Sequence, residues 1–409
     1  MKKNFYQILN KELERIDQAK VTKRNEFVID QTLSATKVLA NKEIFTLFNS
    51  NDYLGLRIDN RLIEAEEKAG RQFGVGPGAV RFISGSLNIY HQLEQKIADF
   101  HHREAGMIFS SAFAANLGVI FTLIKGQSRD SLVQDKVLVI SDELNHRSII
   151  DAIRLANLSG VQKQIFTHKN VESLSEILKK NVGQYDRVLV ISDGIFSMLG
   201  EVQNLSGLKK VVDQYQSKYS NGVFLIVDDA HGVGAFGATG RGSEEVNDIH
   251  ADVLLGTFGK AFGCDGGYVV TDKIIIDYLK ESAATYIYSN CMSPTTAASA
   301  LASLKIVDSF HGVKLLINLQ KNITLFKQKI AKTKFKLAVD SNHPIQAILI
   351  GDSMKTKKIV SFLRKNKILA TNINYPVVAK GKDEIRIQLS ADHKEEDIDN
   401  LIVCLNKIC

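Results

Sequence analysis

Apolar runs alternate with amphipathic helical stretches between about Glu104 and Thr271. The strand-like runs are continuous in hydrophobicity, and they are Gly106–Phe109, Lys136–Ile140, Gln164–Phe166, Arg187–Ile191, Val223–Val227, Val253–Thr257 and Gly267–Val270. Between them lie helix-like segments, namely Ala114–Ile124, His146–Leu155, Val171–Lys180 and Leu205–Tyr215. Continuous apolar strands separated by helices are typical of a mostly parallel sheet that is covered on both faces. The pattern therefore predicts an α/β domain whose active site lies at the carboxyl ends of the strands.

A second pattern begins after Ser293 and Pro294. It predicts helices at Thr295–Ser309, about Lys314–Lys332, Lys355–Lys365 and Lys394–Lys407, with short strands near Ile345–Ile350, Tyr375–Val378 and Glu384–Gln388. This mixture indicates a smaller C-terminal α/β domain. The expected division is an N-terminal helix and arm over residues 1–47, a large domain over 48–294 and the small domain over 295–409.

Composition narrows the class of protein. The chain has 409 residues, of which 44% are hydrophobic, so it can bury one large core and a smaller one. No segment is long and apolar enough to predict a membrane span. The four cysteines form no CxxC pair, which favours a reduced, cytoplasmic protein.

The net charge of +7 raises the question of nucleic-acid binding. The excess lysines lie late in the chain, mostly at helical spacings and without interleaved aromatic side chains. Solvated helix faces explain this pattern better than a nucleic-acid site, and they are compatible with attraction of an anionic cosubstrate. His101 and His102 have no third ligand at a metal-binding spacing, so neither a nucleic acid nor a metal is expected as a partner.

The residues best suited to catalysis follow two of the predicted strands. Asp228 and Asp229 end one strand and His231 follows on the turn, while Lys260 comes just after the next strand among small neighbours. An isolated lysine with room around it suits a pyridoxal 5'-phosphate (PLP) enzyme, because its amine can form a Schiff base with the cofactor aldehyde. A buried carboxylate would keep the ring nitrogen protonated, and by residue type alone either aspartate could do so.

Three other segments carry candidate groups, each with a purely structural alternative. In residues 109–116 a strand ends in serines and small residues begin a helix, whose free N–H groups can bind phosphate. Asn145 can cap a helix that begins near His146. Arg386 lies on a late strand, and its planar fork suits a carboxylate. For residues 109–116 the alternative is a generic turn between strand and helix. For residues 145–146 it is a plain helix cap, and for Arg386 it is an exposed arginine on a strand.

The order of these motifs resembles that of the α-oxoamine synthases, a family of fold-type I PLP enzymes. The resemblance runs from residues 48–56, which read FNSNDYLGL, to residues 385–390, which read IRIQLS. It implies the aspartate aminotransferase-like fold type I, with a large α/β domain built on a mostly parallel sheet and a smaller C-terminal α/β domain. It also implies a homodimer with shared active sites.

The resemblance assigns roles residue by residue. It implies that Lys260 holds the cofactor and acts as the base, and that Asp228 rather than Asp229 contacts the ring nitrogen. His231 is expected to bond the phenolic oxygen and His146 to lie over the ring, so Lys260, Asp228, His231 and His146 are the predicted catalytic residues. The implied cofactor-binding set is Ser111, Ala112, Phe113, His146, Asp193, Ser197, Asp228, His231, Thr257, Lys260, Ser289 and Asn290. Ser289 and Asn290 are expected to come from the neighbouring subunit. The predicted substrate contacts are Asn51, Ser86 and Arg386.

The implied reaction is transfer of an acyl group from acyl-CoA to the α-carbon of an amino acid, with release of CoA and usually of CO2. Motifs at residues 81–85 and 193–198 favour glycine and a short acyl-CoA, as in glycine C-acetyltransferase. The alternative is alanine with a longer acyl group on CoA or acyl carrier protein, as in 8-amino-7-oxononanoate synthase. An aminotransferase on the same fold and a non-catalytic PLP-binding scaffold are further alternatives. Glu384 departs from the family, which often has arginine at this position.

Overall fold

The computed structural model describes residues 2–18, 22–128, 130–133, 136–375 and 377–408. Its helices, in chain order, are α1 (Lys2–Gln18), α2 (Asn60–Phe73), α3 (Arg81–Ser84), α4 (Asn88–Phe100), α5 (Ala112–Lys125), α6 (Arg147–Leu155), α7 (Val171–Asn181), α8 (Leu205–Tyr215), α9 (Ser243–Asn247), α10 (Lys273–Ser282), α11 (Ala284–Ile287), α12 (Pro294–Val307), α13 (Phe310–Ile330), α14 (Ser353–Lys365) and α15 (Glu395–Lys407). Short 3-10 turns lie at Leu56–Ile58 and Gln216–Lys218. Residues 1 and 409, the outer ends of the predicted terminal domains, lie outside the described residues.

The strands, in chain order, are β1 (Gln31–Ser34), β2 (Lys37–Ala40), β3 (Glu43–Leu47), β4 (Ala105–Phe109), β5 (Val137–Asp142), β6 (Lys163–Phe166), β7 (Arg187–Asp193), β8 (Ile195–Phe196), β9 (Glu201–Val202), β10 (Val223–Asp228), β11 (Val253–Thr257), β12 (Gly267–Thr271), β13 (Lys336–Leu337), β14 (Ile345–Leu349), β15 (Ile368–Leu369), β16 (Thr371–Ile373) and β17 (Glu384–Gln388). The large sheet has the spatial order β4-β12-β11-β10-β7-β5-β6. From β11 to β6 the strands run parallel, and β12 runs antiparallel to both of its neighbours. The prediction of a mostly parallel α/β sheet is confirmed.

Both faces of the large sheet are covered, and β5 shows how the sequence achieves this. Leu138 and Ile140 pack into a core that includes side chains of α7 and α8. Val137 and Val139 pack into a second core that includes side chains of α5 and α6. Because successive side chains of a strand point to opposite faces, a run of apolar residues buries both faces at once.

Local chemistry fixes the start of α5 beside the end of β4. Ser111 caps the helix, since its Oγ accepts a hydrogen bond from Ala114 N at 3.1 Å. Gly126 follows the last turn with a φ of 67°, which favours glycine. The first N–H groups of a helix have no intrahelical acceptor, so α5 presents them at the carboxyl edge of the large sheet.

The C-terminal region builds a second sheet, β13-β14-β17-β16, with β17 in an interior position. A further sheet, β1-β2-β3-β15, joins the N-terminal strands to this region through the parallel pair of β3 and β15. His393 adds a side-chain link, because its Nε2 donates to Leu47 O at 2.8 Å and its ring stacks on Phe48. These contacts connect the N-terminal arm to the C-terminal region.

One predicted strand is wrong. The segment near Tyr375–Val378 forms no strand among its described residues, and Pro376 lies outside them. The strand is instead β16, which ends before Asn374. Tyr375 is 53% exposed and Val377 is 60% exposed, so these apolar side chains do not face a core. Apolar content alone therefore predicts this strand at a position that follows the true strand, β16, in the sequence.

Candidate active site

A cavity lies at the carboxyl edge of the large sheet, where β7 and β10 end. About 350 Å³ of space free of protein atoms lies between its walls and at its mouth, where it opens to solvent. Its lining comes from α5, the loop after β5 with the start of α6, the ends of β7 and β10 with the residues that follow each, and the loop after β11. The lining residues are Ala112, Phe113, Asn116, His146, Ser148, Asp193, Ile195, Ser197, Asp228, Ala230, His231 and Lys260. Eight predicted site residues meet in this cavity: Ala112, Phe113, His146, Asp193, Ser197, Asp228, His231 and Lys260.

Asp228 is the last residue of β10, and its buried carboxylate is held from two sides. Oδ1 accepts a hydrogen bond from Ala230 N at 3.0 Å, and Oδ2 accepts one from Asn116 Nδ2 at 2.5 Å. Asn116 is itself anchored, because Nδ2 also lies 2.8 Å from Ser148 Oγ. The carboxylate is therefore fixed at the cavity wall, where a cationic ring nitrogen would be a suitable partner.

Asp229 faces away from the cavity. Its Oδ2 accepts a hydrogen bond from Ser243 N at 2.6 Å, and a Cβ added to Gly232 would lie 2.3 Å from its Oδ1. Burial raises the pKa of Asp229 to about 8, so this carboxyl group is mostly protonated at neutral pH. Between the two aspartates, the geometry favours Asp228 as the partner of a ring cation.

Lys260 lines the same cavity as Asp228 and Asp193. Burial lowers the pKa of Lys260 to about 8, although both carboxyl groups favour the charged amine. Burial and repulsion from Asp228 hold the pKa of Asp193 well above its usual range. An amine with a pKa near 8 can take up and release protons close to neutral pH, which suits a general base.

His231 belongs to a chain of hydrogen bonds that leads to Asn51. His231 Nδ1 lies 2.8 Å from the Tyr53 hydroxyl, and that hydroxyl lies 3.2 Å from Asn51 Oδ1. Gln388 Nε2 also donates to Asn51 Oδ1, at 2.5 Å. Burial, with the nearby Lys260, holds the pKa of His231 well below its usual range, so the ring is neutral. Asn51 lies behind the cavity lining and connects to it through Tyr53.

His146 forms an exposed part of the cavity wall and also caps α6. Its Nδ1 accepts a hydrogen bond from Ser148 N at 3.3 Å, and its backbone N–H donates to Asp193 Oδ2 at 3.1 Å. Asn145 instead donates from Nδ2 to Ile191 O at 2.8 Å and accepts from Asp193 N at 2.8 Å. The cap predicted for Asn145 is therefore wrong, because its amide joins the loop after β5 to β7.

The N-terminus of α5 and the start of β12 meet at one end of the cavity. A Cβ added to Gly267 would lie 2.3 Å from Ala112 N, so only glycine allows this close approach.

Ser111 and Thr257 do not line the cavity. The Ser111 hydroxyl caps α5, and Thr257 Oγ1 donates to Gly266 O at 2.9 Å.

Arg386 reaches the cavity wall from β17. Its Nη1 donates to Ser197 O at 2.7 Å, and Ser197 lines the cavity. Its buried Nε has no hydrogen-bond partner among the described residues. A partly buried guanidinium with donors to spare is suited to a carboxylate ligand.

Three predicted site residues lie away from this cavity. Ser86 is exposed, and its Oγ accepts a hydrogen bond from Arg81 Nε at 2.9 Å. Ser289 and Asn290 are exposed in the segment after α11. Within one chain they are not part of the assembled site.

The sequence pattern does not predict several lining and supporting residues, which are Tyr53, Asn116, Ser148, Ile195, Ala230 and Gln388. Asn116 had a usable signal, because it is a polar residue within the otherwise apolar run of α5 and lies one helical turn after Ala112. Tyr53 and Gln388 had none, since they come from distant segments and meet only in the folded chain.

The chain matches the model of the aminotransferase class I and II family over residues 43–405. It belongs to this family. It is 36% identical to the 8-amino-7-oxononanoate synthase of Petrotoga mobilis, over 99% of this chain and 98% of that protein. It is 34% identical to the protein of the same name from Bacillus pumilus, over 93% and 91%. The solved serine palmitoyltransferase of Sphingomonas wittichii is similar with a TM-score of 0.87 and 26% identity, over 98% and 96%.

These similarities confirm the predictions of an α-oxoamine synthase, of fold type I, of an enzyme and of PLP as its cofactor. They do not support the preference for glycine and a short acyl-CoA, because the relatives carry the name of the alternative.

Within the described ranges, no helix is long and apolar enough to cross a bilayer. The same part of the chain contains no group of three or more His, Cys, Asp or Glu side chains placed to hold a metal ion.

Proposed function

We propose that this protein joins the α-carbon of alanine to a long acyl group carried as a thioester, with release of the thiol carrier and CO2. The observation that carries the proposal is the 36% identity to an 8-amino-7-oxononanoate synthase over nearly the full length of both chains. The site supports it, because one cavity combines a lysine of lowered pKa with a fixed carboxylate, and an arginine lies at its wall.

The name of the relatives' product indicates which fragments are joined. In 8-amino-7-oxononanoate the ketone is carbon 7 and the amine is on carbon 8 of a nine-carbon acid. Carbons 1 to 7 then derive from an acyl group with a carboxylate at its far end. Carbons 8 and 9 with the amine correspond to alanine without its carboxylate. We therefore expect alanine and the thioester of a seven-carbon dicarboxylic acid as substrates.

The cavity residues fit the functional groups of PLP. Lys260 suits the aldehyde and Asp228 the ring nitrogen. The remaining contacts are His231 and Ser197 for the phenolic oxygen, and the N–H groups of Ala112 and Phe113 for the phosphate. When bound, PLP supplies an electron sink for the pair left on the substrate α-carbon.

The chain's own residues then have separable tasks. Arg386 binds the amino-acid carboxylate and stays anchored through Ser197 O. Lys260 Nζ removes the α-proton, and after acyl transfer and loss of CO2 it returns a proton to that carbon. Asn116 holds the Asp228 carboxylate at the cavity wall, where it would pair with the ring nitrogen. His146 and Phe113 line the cavity and would confine the cofactor ring.

Thiol release tests the proposal directly. Purified holoenzyme is assayed with alanine, glycine or serine against acetyl-CoA and a seven-carbon dicarboxylic acyl-CoA. We expect alanine with the longer donor to give the highest kcat/KM, by about 10-fold or more over glycine, because a methyl-sized pocket is worth roughly 1–3 kcal/mol. Preference for glycine and acetyl-CoA would restore the glycine assignment, and absence of thiol in every combination would exclude acyl transfer.

We also propose that the active enzyme is a homodimer in which Ser289 and Asn290 complete the partner's site. Both residues are exposed and lie away from the cavity of their own chain. Tyr288, directly before Ser289, is 72% exposed, and elsewhere in the chain Val75 is 81% and Phe82 is 65% exposed. Apolar surface of this kind is typical of an interface.

Subunit mixing tests the shared site. Lys260→Ala protein is refolded together with an equal amount of Ser289→Ala/Asn290→Ala protein. Random pairing gives heterodimers with one intact site, so activity should recover to about a quarter of the wild-type value. Each variant refolded alone is the control. Activity that never exceeds the mean of the two controls, or a fully active monomer at assay dilution, would contradict the shared site.

A further inference from the structure

A buried acidic side chain lies next to Arg386 and has no task in the chemistry above. Glu384 is two residues before Arg386 on β17, so the two side chains project from the same face of the strand. Glu384 is 1% exposed, and its Oε1 has no hydrogen-bond partner among the described residues. The Nε atom of Arg386, which carries the opposite charge, is also buried and without a hydrogen-bond partner among the described residues. Two such groups on one strand face require an explanation.

The surroundings of Glu384 determine its charge. The register places Leu349 and Ile373 opposite it on the neighbouring strands, and the charged groups that face it are Arg386 and Glu201. Burial raises the pKa of Glu384 to about 8, Arg386 opposes the shift, and Glu201 adds to it. Glu201 is itself engaged, because its Oε2 lies 3.2 Å from His168 Nε2. Glu384 is therefore mostly neutral at neutral pH and anionic above about pH 8.

We propose that Glu384 is a positioning residue that competes with the amino-acid carboxylate for Arg386. The inference rests on the proposed role of Arg386 as the carboxylate anchor. Because Glu384 is enclosed, it acts on the substrate through the guanidinium rather than by contact. As a neutral acid it leaves the guanidinium to the substrate. As an anion it attracts the guanidinium and weakens the hold on the substrate.

Binding of alanine to the holoenzyme, without an acyl donor, tests this inference. Absorbance of the bound cofactor is titrated with alanine for wild type and Glu384→Gln, from about pH 6.5 to about pH 9.5. The ratio of the two Kd values, wild type over variant, should rise from near one to about threefold to tenfold across this range. The ratio cancels the ionisation of alanine and of Lys260, which both proteins share. The kcat should change less than about twofold, since Glu384 does not touch the reacting atoms.

Asp383→Asn is the matched control, because it removes the neighbouring carboxylate just before β17 and should keep the ratio near one at every pH. A flat ratio for Glu384→Gln, or weaker alanine binding by this variant at neutral pH, would overturn the inference. Arg386→Ala separates this failure from failure of the proposed function. If Arg386→Ala leaves alanine binding unchanged, the carboxylate anchor itself is wrong.

Discussion

Replacing Lys260 with alanine should lower acyl transfer by at least about 10³-fold while leaving PLP bound. The lysine is both the expected attachment point and the base at the substrate α-carbon, and loss of a positioned base alone costs about 10²–10⁴-fold. PLP should remain because Asp228, the α5 N–H groups and His231 are proposed to hold other parts of the cofactor. The measurements are thiol release and the absorbance of cofactor that survives gel filtration.

The attachment point has its own readout. Borohydride treatment of wild-type protein should fix the cofactor covalently to the peptide that contains Lys260. Lys273 offers a matched control, since it is an exposed lysine paired with Asp277 on α10, and Lys273→Ala should retain both activity and labelling. Recovery of the label on any other lysine, or full activity of Lys260→Ala, would contradict the assignment.

The second large effect concerns Asp228. Removing one member of a buried charge pair costs roughly 3–5 kcal/mol, so Asp228→Asn should weaken PLP binding by about 10²–10⁴-fold and slow turnover. The amide cannot supply the anion that the ring nitrogen requires, and it also disturbs the hydrogen bond from Asn116. The measurement is the Kd for PLP together with kcat at saturating cofactor.

Asp229→Asn is the matched control at the adjacent position. Asp229 has a pKa raised to about 8 by burial and bonds Ser243 N outside the cavity, so the amide resembles its protonated form at neutral pH. We expect its effect on PLP affinity to stay below about tenfold. Equal losses in the two variants would show that the ring contact is shared or that Asp229 makes it.

Apolar runs are a sound guide to the large sheet because a strand buried on both faces must be apolar throughout. Val223–Val227 and Leu205–Tyr215 were predicted within one residue of β10 and α8. Apolar content gave a wrong prediction at Tyr375–Val378, because Tyr375 and Val377 are apolar but exposed and do not belong to a buried strand. A buried strand differs from an exposed apolar segment in its packing against a core. A sequence alone does not show that packing.

Sequence patterns predicted cavity residues where a single residue type suits a single chemical group, as for Lys260 and Asp228, which the structure brings into one cavity. Residues that orient those groups were not predictable, because Asn116 reaches Asp228 across 112 positions of sequence. The relatives' names do not support the preference for glycine, and short motifs are a weak guide to the acceptor for an energetic reason. Glycine and alanine differ by one methyl group, worth about 1–3 kcal/mol in a pocket, and short motifs common to the family do not report so small a difference.

The most direct test of acyl transfer is the stoichiometry of thiol and CO2 released from carboxyl-labelled alanine and a seven-carbon dicarboxylic acyl-CoA. If the protein joins these substrates as proposed, one thiol appears for each CO2, and both disappear in Lys260→Ala. CO2 without thiol, or pyruvate without either, would show that the alanine is processed by a different reaction and would contradict the account.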